Sequence, residues 1–283
     1  MSFIKKAIEK HKADYKVSIS PQPVINGKKS VAPDNQNAIH TFKQPFIEID
    51  TEKLAYNGIT LLDNKNKVLT EEIRNIKRSI LKKAFHDNEH NNNVIMITSA
   101  LPGEGKTFIS TNLALSIAME LDRSVLLIDA DVLRGGIIDI LGIERNIGLT
   151  DYLMDKSLNI ATIINKTNIP KLSFISPGTK STNTAELFAS DRMRKLIDHL
   201  AERYDDRVII LDTPPLLATS DASFLANISD QIIVIVDSET TTEQRLNEAL
   251  SQLDNLASVS LLLNKRHIPA MVEGYYSYGQ DKD

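Results

Sequence analysis

Six short apolar segments alternate with helical patterns from residue 94 onward, and this alternation constrains the fold more than any other feature. The segments read VIMITS (94–99), VLLID (125–129), LSFIS (172–176), VIILD (208–212), IIVIV (232–236) and VSLLLN (259–264). Segments that are apolar throughout are typical of strands buried on both faces of a parallel sheet. Helical patterns over 107–121, 185–204 and 242–256 lie between them. The sequence therefore predicts a doubly wound α/β fold with a mostly parallel sheet.

The start of the chain lacks this regularity. Residues 1–67 contain the polar, turn-rich stretch SPQPVINGKKSVAPDNQN, so we expect an N-terminal arm or linker that is partly disordered. Near its beginning, Ile4, Ala7 and Ile8 recur at helical spacing and predict a short amphipathic helix. We place the main domain at 68–270, opened by a helix over 69–85, and a flexible tyrosine-rich tail at 271–283.

Composition excludes several classes of protein. The formal net charge of -4 provides no general attraction to nucleic acid, so we expect no nucleic-acid partner. The absence of cysteine excludes disulfides and thiolate chemistry and fits a reducing compartment. No apolar run approaches the roughly 20 residues that cross a bilayer, and charges interrupt the first residues too often for a signal peptide. We therefore expect a soluble, cytoplasmic protein.

A glycine-rich turn follows the first apolar segment and opens a helix. Glycines allow backbone amides to turn toward phosphate oxygens, while a lysine and a hydroxyl residue at the helix start reach the phosphates and Mg²⁺. Ala100 replaces the first glycine of the strict P-loop pattern, and an ordinary glycine-rich turn is the alternative interpretation. The pattern predicts ATP contacts from Pro102, Gly103, Glu104, Gly105, Lys106, Thr107 and Phe108.

Aspartates follow two further apolar segments. Asp129 and Asp131 end the second, and Asp212 ends the fourth, so all three should lie at the carboxyl edge of the sheet, where open α/β sheets bind ligands. Two carboxylates one residue apart cannot both be buried unpaired, so at least one should face a cation or a proton donor. Capping of the strand exits is the alternative for this pair.

These motifs resemble those of the bacterial tyrosine kinases that control capsule and exopolysaccharide assembly. The resemblance covers roughly residues 69–280 and rests on five segments: SALPGEGKT as Walker A, LLIDADVLR as Walker A′, VIILDTPP as Walker B, NTAELFAS, and the tyrosine-rich tail. The chain is most similar to the stand-alone kinases found with exosortase-linked polysaccharide clusters. The resemblance implies a P-loop fold related to the MinD and ParA ATPases, with ATP and Mg²⁺ as cofactors.

The resemblance also implies roles for individual residues. The γ-phosphoryl group of ATP would pass in trans to Tyr275, Tyr276 and Tyr278 of a neighbouring subunit, and so regulate the length or export of the polymer. Lys106 would offset phosphate charge, and Asp129 would accept the tyrosine proton. Thr107, Asp131 and Asp212 would hold Mg²⁺, directly or through water. By analogy with related P-loop proteins Asn264 would touch the adenine, although a satisfied amide at the strand end explains it equally well.

Partners follow from the same resemblance. EEIRNIK is similar to the oligomerisation motif of the family through Glu71, Arg74 and Lys77, and implies a homo-oligomeric ring. The helical spacing of these residues also permits a structural stripe of ion pairs. A separate membrane-embedded polysaccharide co-polymerase would activate the chain and recruit it to the inner face of the plasma membrane, and a cognate tyrosine phosphatase would reverse the reaction.

Two other classes remain open. A MinD/ParA-like ATPase switch would share the fold, but its signature lysine would stand where this chain has Leu101, and no basic amphipathic membrane helix ends the chain. A nucleotide-dependent scaffold without kinase activity is the other alternative. In that case the tail would only dock to a partner. Phosphorylation of the tail would distinguish a kinase from an ATPase switch and from a scaffold.

Overall fold

The computed structural model describes residues 45–59, 66–85 and 92–266. Within these ranges the strands are β1 (Phe46–Ile47), β2 (Val94–Ser99), β3 (Ser124–Asp129), β4 (Ile164–Thr167), β5 (Leu172–Ile175), β6 (Arg207–Asp212), β7 (Gln231–Asp237) and β8 (Val259–Asn264). The helices are α1 (Thr51–Tyr56), α2 (Lys67–Phe85), α3 (Lys106–Ala118), α4 (Gly136–Leu141), α5 (Leu149–Met154), α6 (Thr184–Phe188), α7 (Asp191–Glu202), α8 (Asp221–Ala226) and α9 (Glu243–Leu250).

The strands form one sheet in the order β1-β4-β5-β3-β6-β2-β7-β8. Every neighbouring pair is parallel except β4 with β5. The six predicted strands are all present, and β2, β3 and β6 lie side by side at the centre. The predicted fold class, a mostly parallel α/β sheet, is confirmed.

Helices cover both faces of the sheet, which explains why the central strands are apolar throughout. On one face, α1 to α4 pack against side chains such as Ile95 and Ile97. On the other face, α5 to α9 pack against the alternate side chains, such as Met96. Because successive residues of a strand point to opposite faces, each strand contributes to both layers of the core. No helix in the described part of the chain is long and apolar enough to cross a membrane.

Local structure departs from the predicted pattern in several places. The predicted helix over 242–256 ends at Leu250, where Ser251 caps its C-terminus. The predicted helix over 185–204 is two helices, α6 and α7, which meet at Ser190. The Ser190 hydroxyl donates to Leu187 O at 2.6 Å and accepts from the Met193 amide at 3.3 Å, so it caps the second helix. The antiparallel strand β4 had not been predicted, because INKT carries only one apolar residue.

Residues 45–59 belong to the folded domain, although the sequence placed them in the N-terminal arm. β1 pairs with β4, and Leu54 of α1 is fully buried. Asp50 caps α1 by accepting from the Glu52 and Lys53 amides. Short elements of this kind carry little periodicity, so tertiary pairing defines them. The predicted helix near the start of the arm and the tail after residue 266 lie outside the described residues, and the boundaries proposed for both stay predictions.

Candidate functional site

Three central strands bring the predicted residues to one edge of the sheet. Asp129 ends β3 and lies opposite Asp212, which ends the neighbouring β6. On the other side of β6, β2 leads into the loop over 100–105, and α3 begins with Lys106. The carboxyl ends of these strands therefore form a single candidate site, in the position where open α/β sheets bind ligands.

The P-loop, residues 100–107, presents unbonded backbone amides. Among the described residues no acceptor is bonded to the amides of Gly103, Gly105, Lys106 or Thr107, and the first helical bond runs from Ile109 N to Gly105 O at 3.0 Å. Gly103 and Gly105 have φ angles of 88° and 100°, which side-chain-bearing residues rarely adopt. A row of free amides at the start of a helix is the arrangement that binds phosphate oxygens.

The alanine at the start of the loop is compatible with this geometry. Ala100 is fully buried in the core and its φ angle is not positive. A methyl group is therefore accommodated, and the departure from the strict P-loop pattern does not alter the loop.

Lys106 is paired with a carboxylate inside the site. Its Nζ lies 2.6 Å from Asp131 Oδ2, and both side chains are almost completely buried. A buried ion pair of this kind is strongly destabilised when one partner is removed. A bound phosphate would have to share the ammonium group with Asp131 or displace it.

Asp212 carries a carboxylate oxygen that is not satisfied. Its Oδ1 accepts from Ser110 Oγ at 2.9 Å, whereas its Oδ2 is buried and has no hydrogen-bond partner among the described residues. Burial raises the pKa of Asp212 to about 6, against the opposing effects of the Lys106 charge and the nearby Thr107 and Ser110 hydroxyls. An unpartnered buried oxygen is costly, which indicates that a cation or a proton belongs beside it.

Asp129 is fully buried, and a backbone amide donates to each of its carboxylate oxygens. Its Oδ1 accepts from the Asp131 amide at 3.2 Å and its Oδ2 from the Ile137 amide at 3.1 Å. Burial raises the pKa of Asp129 well above its ordinary value, and the charges of Asp212 and Asp131 add to this effect. A raised pKa suits a proton acceptor, but the side chain is fully buried. Each oxygen can accept a second hydrogen bond, so burial rather than the two amides keeps Asp129 from a tyrosine hydroxyl.

The oxygen donors of the site fit a magnesium ion that arrives with a nucleotide. Asp212 Oδ2 is unbonded, and Thr107 places a hydroxyl in the first turn of α3, near that carboxylate. In residues 45–59, 66–85 and 92–266 no group of three or more His, Cys, Asp or Glu side chains forms a complete metal cage. Mg²⁺ is typically held by one or two carboxylates together with water and substrate phosphates, so the Asp212 carboxylate and the Thr107 hydroxyl suit it when a nucleotide supplies the remaining oxygens.

Hydrogen bonds of the Glu104 side chain and of Asn264 stabilise the P-loop. The buried Glu104 carboxylate accepts from the Leu101 amide at 2.9 Å and from the Thr241 hydroxyl. Asn264 Nδ2 donates to Glu104 O at 2.8 Å, and a Cβ on Gly105 would lie 2.2 Å from the same nitrogen. The side chains of two predicted ATP contacts are therefore engaged within the protein.

The remaining predicted residues are placed as follows. Pro102 is exposed on the loop, whereas the Phe108 side chain packs against the core. In α2, Arg74 is paired with Glu71 at 3.3 Å and both are about half exposed. Lys77 instead forms an ion pair with Glu120 inside the chain. The three tail tyrosines, Tyr275, Tyr276 and Tyr278, lie outside the described residues.

Sequence reasoning missed several residues around the site. Ser110 is four residues after Lys106 on α3, so helical periodicity could have placed it beside Asp212. Asp237 ends an apolar strand just as Asp212 does, which is the same signal. Thr241 and Lys265 carry no such signal, because only the arrangement of β7 and β8 brings them to the P-loop.

The fold and the site define a P-loop nucleotide-binding protein of the α/β class. A family model described as an AAA domain matches residues 92–266. The tyrosine-protein kinase YwqD of Bacillus subtilis (strain 168) is 31% identical over 227 residues, which cover 79% of this chain and 92% of that protein. The chain therefore belongs to the bacterial tyrosine-protein kinase family, and the predicted family is confirmed. The proposed exosortase-associated subgroup stays a prediction.

Other relatives support the same assignment. The tyrosine-protein kinase ptk of Acinetobacter johnsonii is 32% identical over 196 residues. These residues are 69% of this chain and 26% of that protein, so this chain spans about a quarter of the length of that relative. The kinase domain of Escherichia coli tyrosine kinase ETK aligns with a TM-score of 0.63 and 30% identity, covering 71% of this chain and 77% of that chain.

The relation to partitioning ATPases is confined to the fold. The MinC:MinD cell division protein complex of Aquifex aeolicus aligns with a TM-score of 0.52 and 19% identity, covering 64% of this chain and 72% of that chain. The expected architectural relation to the MinD/ParA type is confirmed at that level.

Proposed function

We propose that this chain is an ATP-dependent tyrosine autokinase that phosphorylates Tyr275, Tyr276 and Tyr278 in trans within an oligomer. The observation that carries the proposal is the row of free P-loop amides beside a buried cluster of Lys106 and three aspartates. That arrangement suits a nucleotide whose terminal phosphates lie at the carboxyl edge of the sheet. The names of the relatives support a tyrosine hydroxyl as the acceptor.

Positioning and charge account for the chemistry. The phenolic oxygen forms a bond to the γ-phosphorus, the bond from that phosphorus to the β,γ-bridging oxygen breaks, and ADP leaves. Lys106 offsets phosphate charge, and the free amides hold the phosphate oxygens. Magnesium, held by Thr107 and Asp212 with Asp131 directly or through water, would neutralise further phosphate charge when bound.

The phenolic proton needs an acceptor. Asp129 has the raised pKa that suits this task, and the family motif favours it. Because its side chain is fully buried, the reaction requires the surrounding segment to move and admit the acceptor tyrosine. Substrate docking would supply that movement, which keeps the base enclosed until an acceptor tyrosine is present.

Assembly and partners form the second part of the proposal. Glu71 and Arg74 are about half exposed, which leaves them accessible for an oligomer contact on α2, although their mutual ion pair is what a structural stripe would give. Lys77 is paired with Glu120 of the same chain, so we expect it to contribute little to that contact. A membrane-embedded polysaccharide co-polymerase would activate the chain at the inner face of the plasma membrane. A phosphatase would reset it, and the cycle would regulate exopolysaccharide length or export.

The test is intact mass and phosphosite mapping after incubation of the purified protein with Mg²⁺-ATP. We compare the wild type with Lys106→Met and with a triple Tyr→Phe variant of the tail. We expect phosphate on the tail of the wild type and none on Lys106→Met, because that variant loses the cation that offsets the phosphates. Circular dichroism shows whether Lys106→Met, which leaves Asp131 unpaired, is still folded.

An unmodified wild-type tail in the presence of bound ATP would contradict the autokinase proposal for the isolated chain. Hydrolysis of ATP without tail phosphorylation would indicate an ATPase switch, and binding without turnover would indicate a scaffold. Phosphate on the tail of Lys106→Met would show that the P-loop is not the site of transfer.

A further inference from the structure

A lysine at the end of the last strand holds the P-loop by its main chain. Lys265 Nζ donates to Gly103 O at 2.9 Å and to Asp237 Oδ2 at 2.8 Å. Beside it, Asn264 donates to Glu104 O at 2.8 Å. Two consecutive carbonyl groups of the P-loop are therefore bonded to the end of β8.

The carboxylate that pairs with this lysine is buried and ends β7. Asp237 ends β7, is 3% exposed, and also accepts from the Glu239 amide at 3.0 Å. The hydrogen bond from Lys265, followed by the one from the Glu239 amide, holds the pKa of Asp237 far below its ordinary value. Asp237 is thus ionised at neutral pH, and Lys265 has a fixed partner there.

The backbone of Lys265 shows that its position is constrained. Its φ angle is 58°, and only one other non-glycine residue in the described part of the chain, Lys171, has a positive φ. Lysine rarely adopts this left-handed conformation, so the surrounding contacts hold it there. The ammonium group is consequently directed at the loop by a constrained backbone.

These contacts orient the phosphate-binding amides. In a trans peptide the carbonyl group and the following amide point in opposite directions across one plane. Because Gly103 O points out toward Lys265, the Glu104 amide points into the loop. The bond from Asn264 to Glu104 O directs the Gly105 amide inward in the same way.

We propose that Lys265 is a positioning residue for nucleotide binding, which acts by fixing the peptide plane between Gly103 and Glu104 against Asp237. The inference deepens the proposed function and rests on its nucleotide-binding step alone. Lys265 touches the loop rather than the phosphates, so its loss should disorganise the binding amides before any chemistry occurs.

The test measures the binding of a fluorescent ADP analogue to the full chain, with amide hydrogen exchange of the P-loop in the nucleotide-free protein. We expect Lys265→Met to weaken nucleotide binding by about three- to tenfold and to accelerate exchange of the Leu101 and Ile109 amides, which donate to Glu104 Oε2 and Gly105 O in the folded loop. Lys265→Arg should restore much of the affinity, since it returns a cationic donor. Lys195→Met, which removes an exposed lysine of α7, should match the wild type.

Asp237→Asn provides an independent variant, because the amide keeps the shape of the side chain but removes the charge. It should weaken binding in the same direction, and the double variant with Lys265→Met should be no weaker than the more affected single variant. Wild-type affinity and wild-type exchange in Lys265→Met would overturn the proposal. A chain that binds the analogue tightly but never phosphorylates its tail would refute the autokinase and leave this inference standing.

Discussion

At the scale of single residues, charge balance dominates the site. One buried ammonium group, that of Lys106, faces the carboxyl groups of Asp129, Asp131 and Asp212. Only Asp131 is directly paired with it, so the other two carboxyl groups retain protons more readily than they would in water. Three carboxyl groups outnumber one ammonium group, so the site favours an additional cation. The metal ion that accompanies a nucleotide would supply that cation when the nucleotide binds.

This balance predicts a pH-dependent stability to which Asp212 contributes. Burial raises its pKa from the ordinary value of 3.8 to about 6 in the folded chain. Between these values the folded state binds more protons than the unfolded state, so stability decreases as pH rises through this window. Asp212→Asn removes the effect, and its stability relative to the wild type should increase by about 2 kcal/mol between pH 4 and pH 7.

The measurement is urea unfolding of both proteins followed by circular dichroism, in the presence of a chelator to keep the site free of metal. Titrations of distant groups cancel in the difference between wild type and variant. The Asp212 charge also raises the pKa of Asp129, so its removal lessens the pH dependence that Asp129 contributes and acts in the same direction. A difference that stays the same at both pH values would contradict the raised pKa of Asp212.

At the scale of secondary-structure elements, side-chain caps decide where helices end. The segment over 185–204 has a helical pattern throughout, yet Ser190 divides it into α6 and α7. Its hydroxyl donates to a carbonyl of the first helix and accepts from an amide of the second. Local hydrogen bonding of serine therefore outweighs the periodicity of the apolar residues.

We expect Ser190→Ala to lower the free energy of unfolding by about 1 kcal/mol, the typical cost of a lost N-terminal cap. Ser251→Ala is the matched control. Ser251 also donates to the carbonyl three residues before it, Glu248 O at 2.7 Å, but it caps no helix start, so its removal should cost less than about 0.5 kcal/mol. Equal losses in the two variants, measured by urea unfolding, would show that the cap does not contribute.

At the scale of the whole molecule, the proposed oligomer and the tail are linked by charge. Each phosphotyrosine adds about 1.5 to 2 negative charges near pH 7. A ring that gathers several phosphorylated tails would repel itself, so phosphorylation should reduce the size of the oligomer. Light scattering after size-exclusion chromatography, before and after incubation with Mg²⁺-ATP, measures this change.

The triple Tyr→Phe tail variant is the control, because it binds ATP without gaining charge on the tail and should keep its initial size. The same molar mass for phosphorylated and unphosphorylated wild type would exclude this mode of regulation. A decrease in the triple variant as well would attribute the change to nucleotide binding alone.

Local patterns predicted most of the fold and the membership of the site. Apolar segments and helical periodicity indicated six of the strands. The glycine-rich turn after β2 indicated Lys106, and the ends of β3 and β6 indicated Asp129, Asp131 and Asp212. The contribution of residues 45–59 to the domain had no comparable signal, because β1 is short and depends on its pairing with β4. Whether a segment forms a helix or a strand depends on residues that are close in the sequence. Which strands pair depends on residues that are close only in the folded chain.

By itself the sequence determined the α/β class, the P-loop and the aspartates at the strand ends, because each depends on residue types at short and regular spacing. Only the tertiary structure decided how those groups are used: Asp131 as the partner of Lys106, Asp129 enclosed by two amides, and Asp237 and Lys265 as the support of the loop. These contacts join different elements of the fold, and Gly103 and Lys265 are 162 positions apart in the chain. Local sequence patterns do not predict contacts between segments that come together only when the sheet forms.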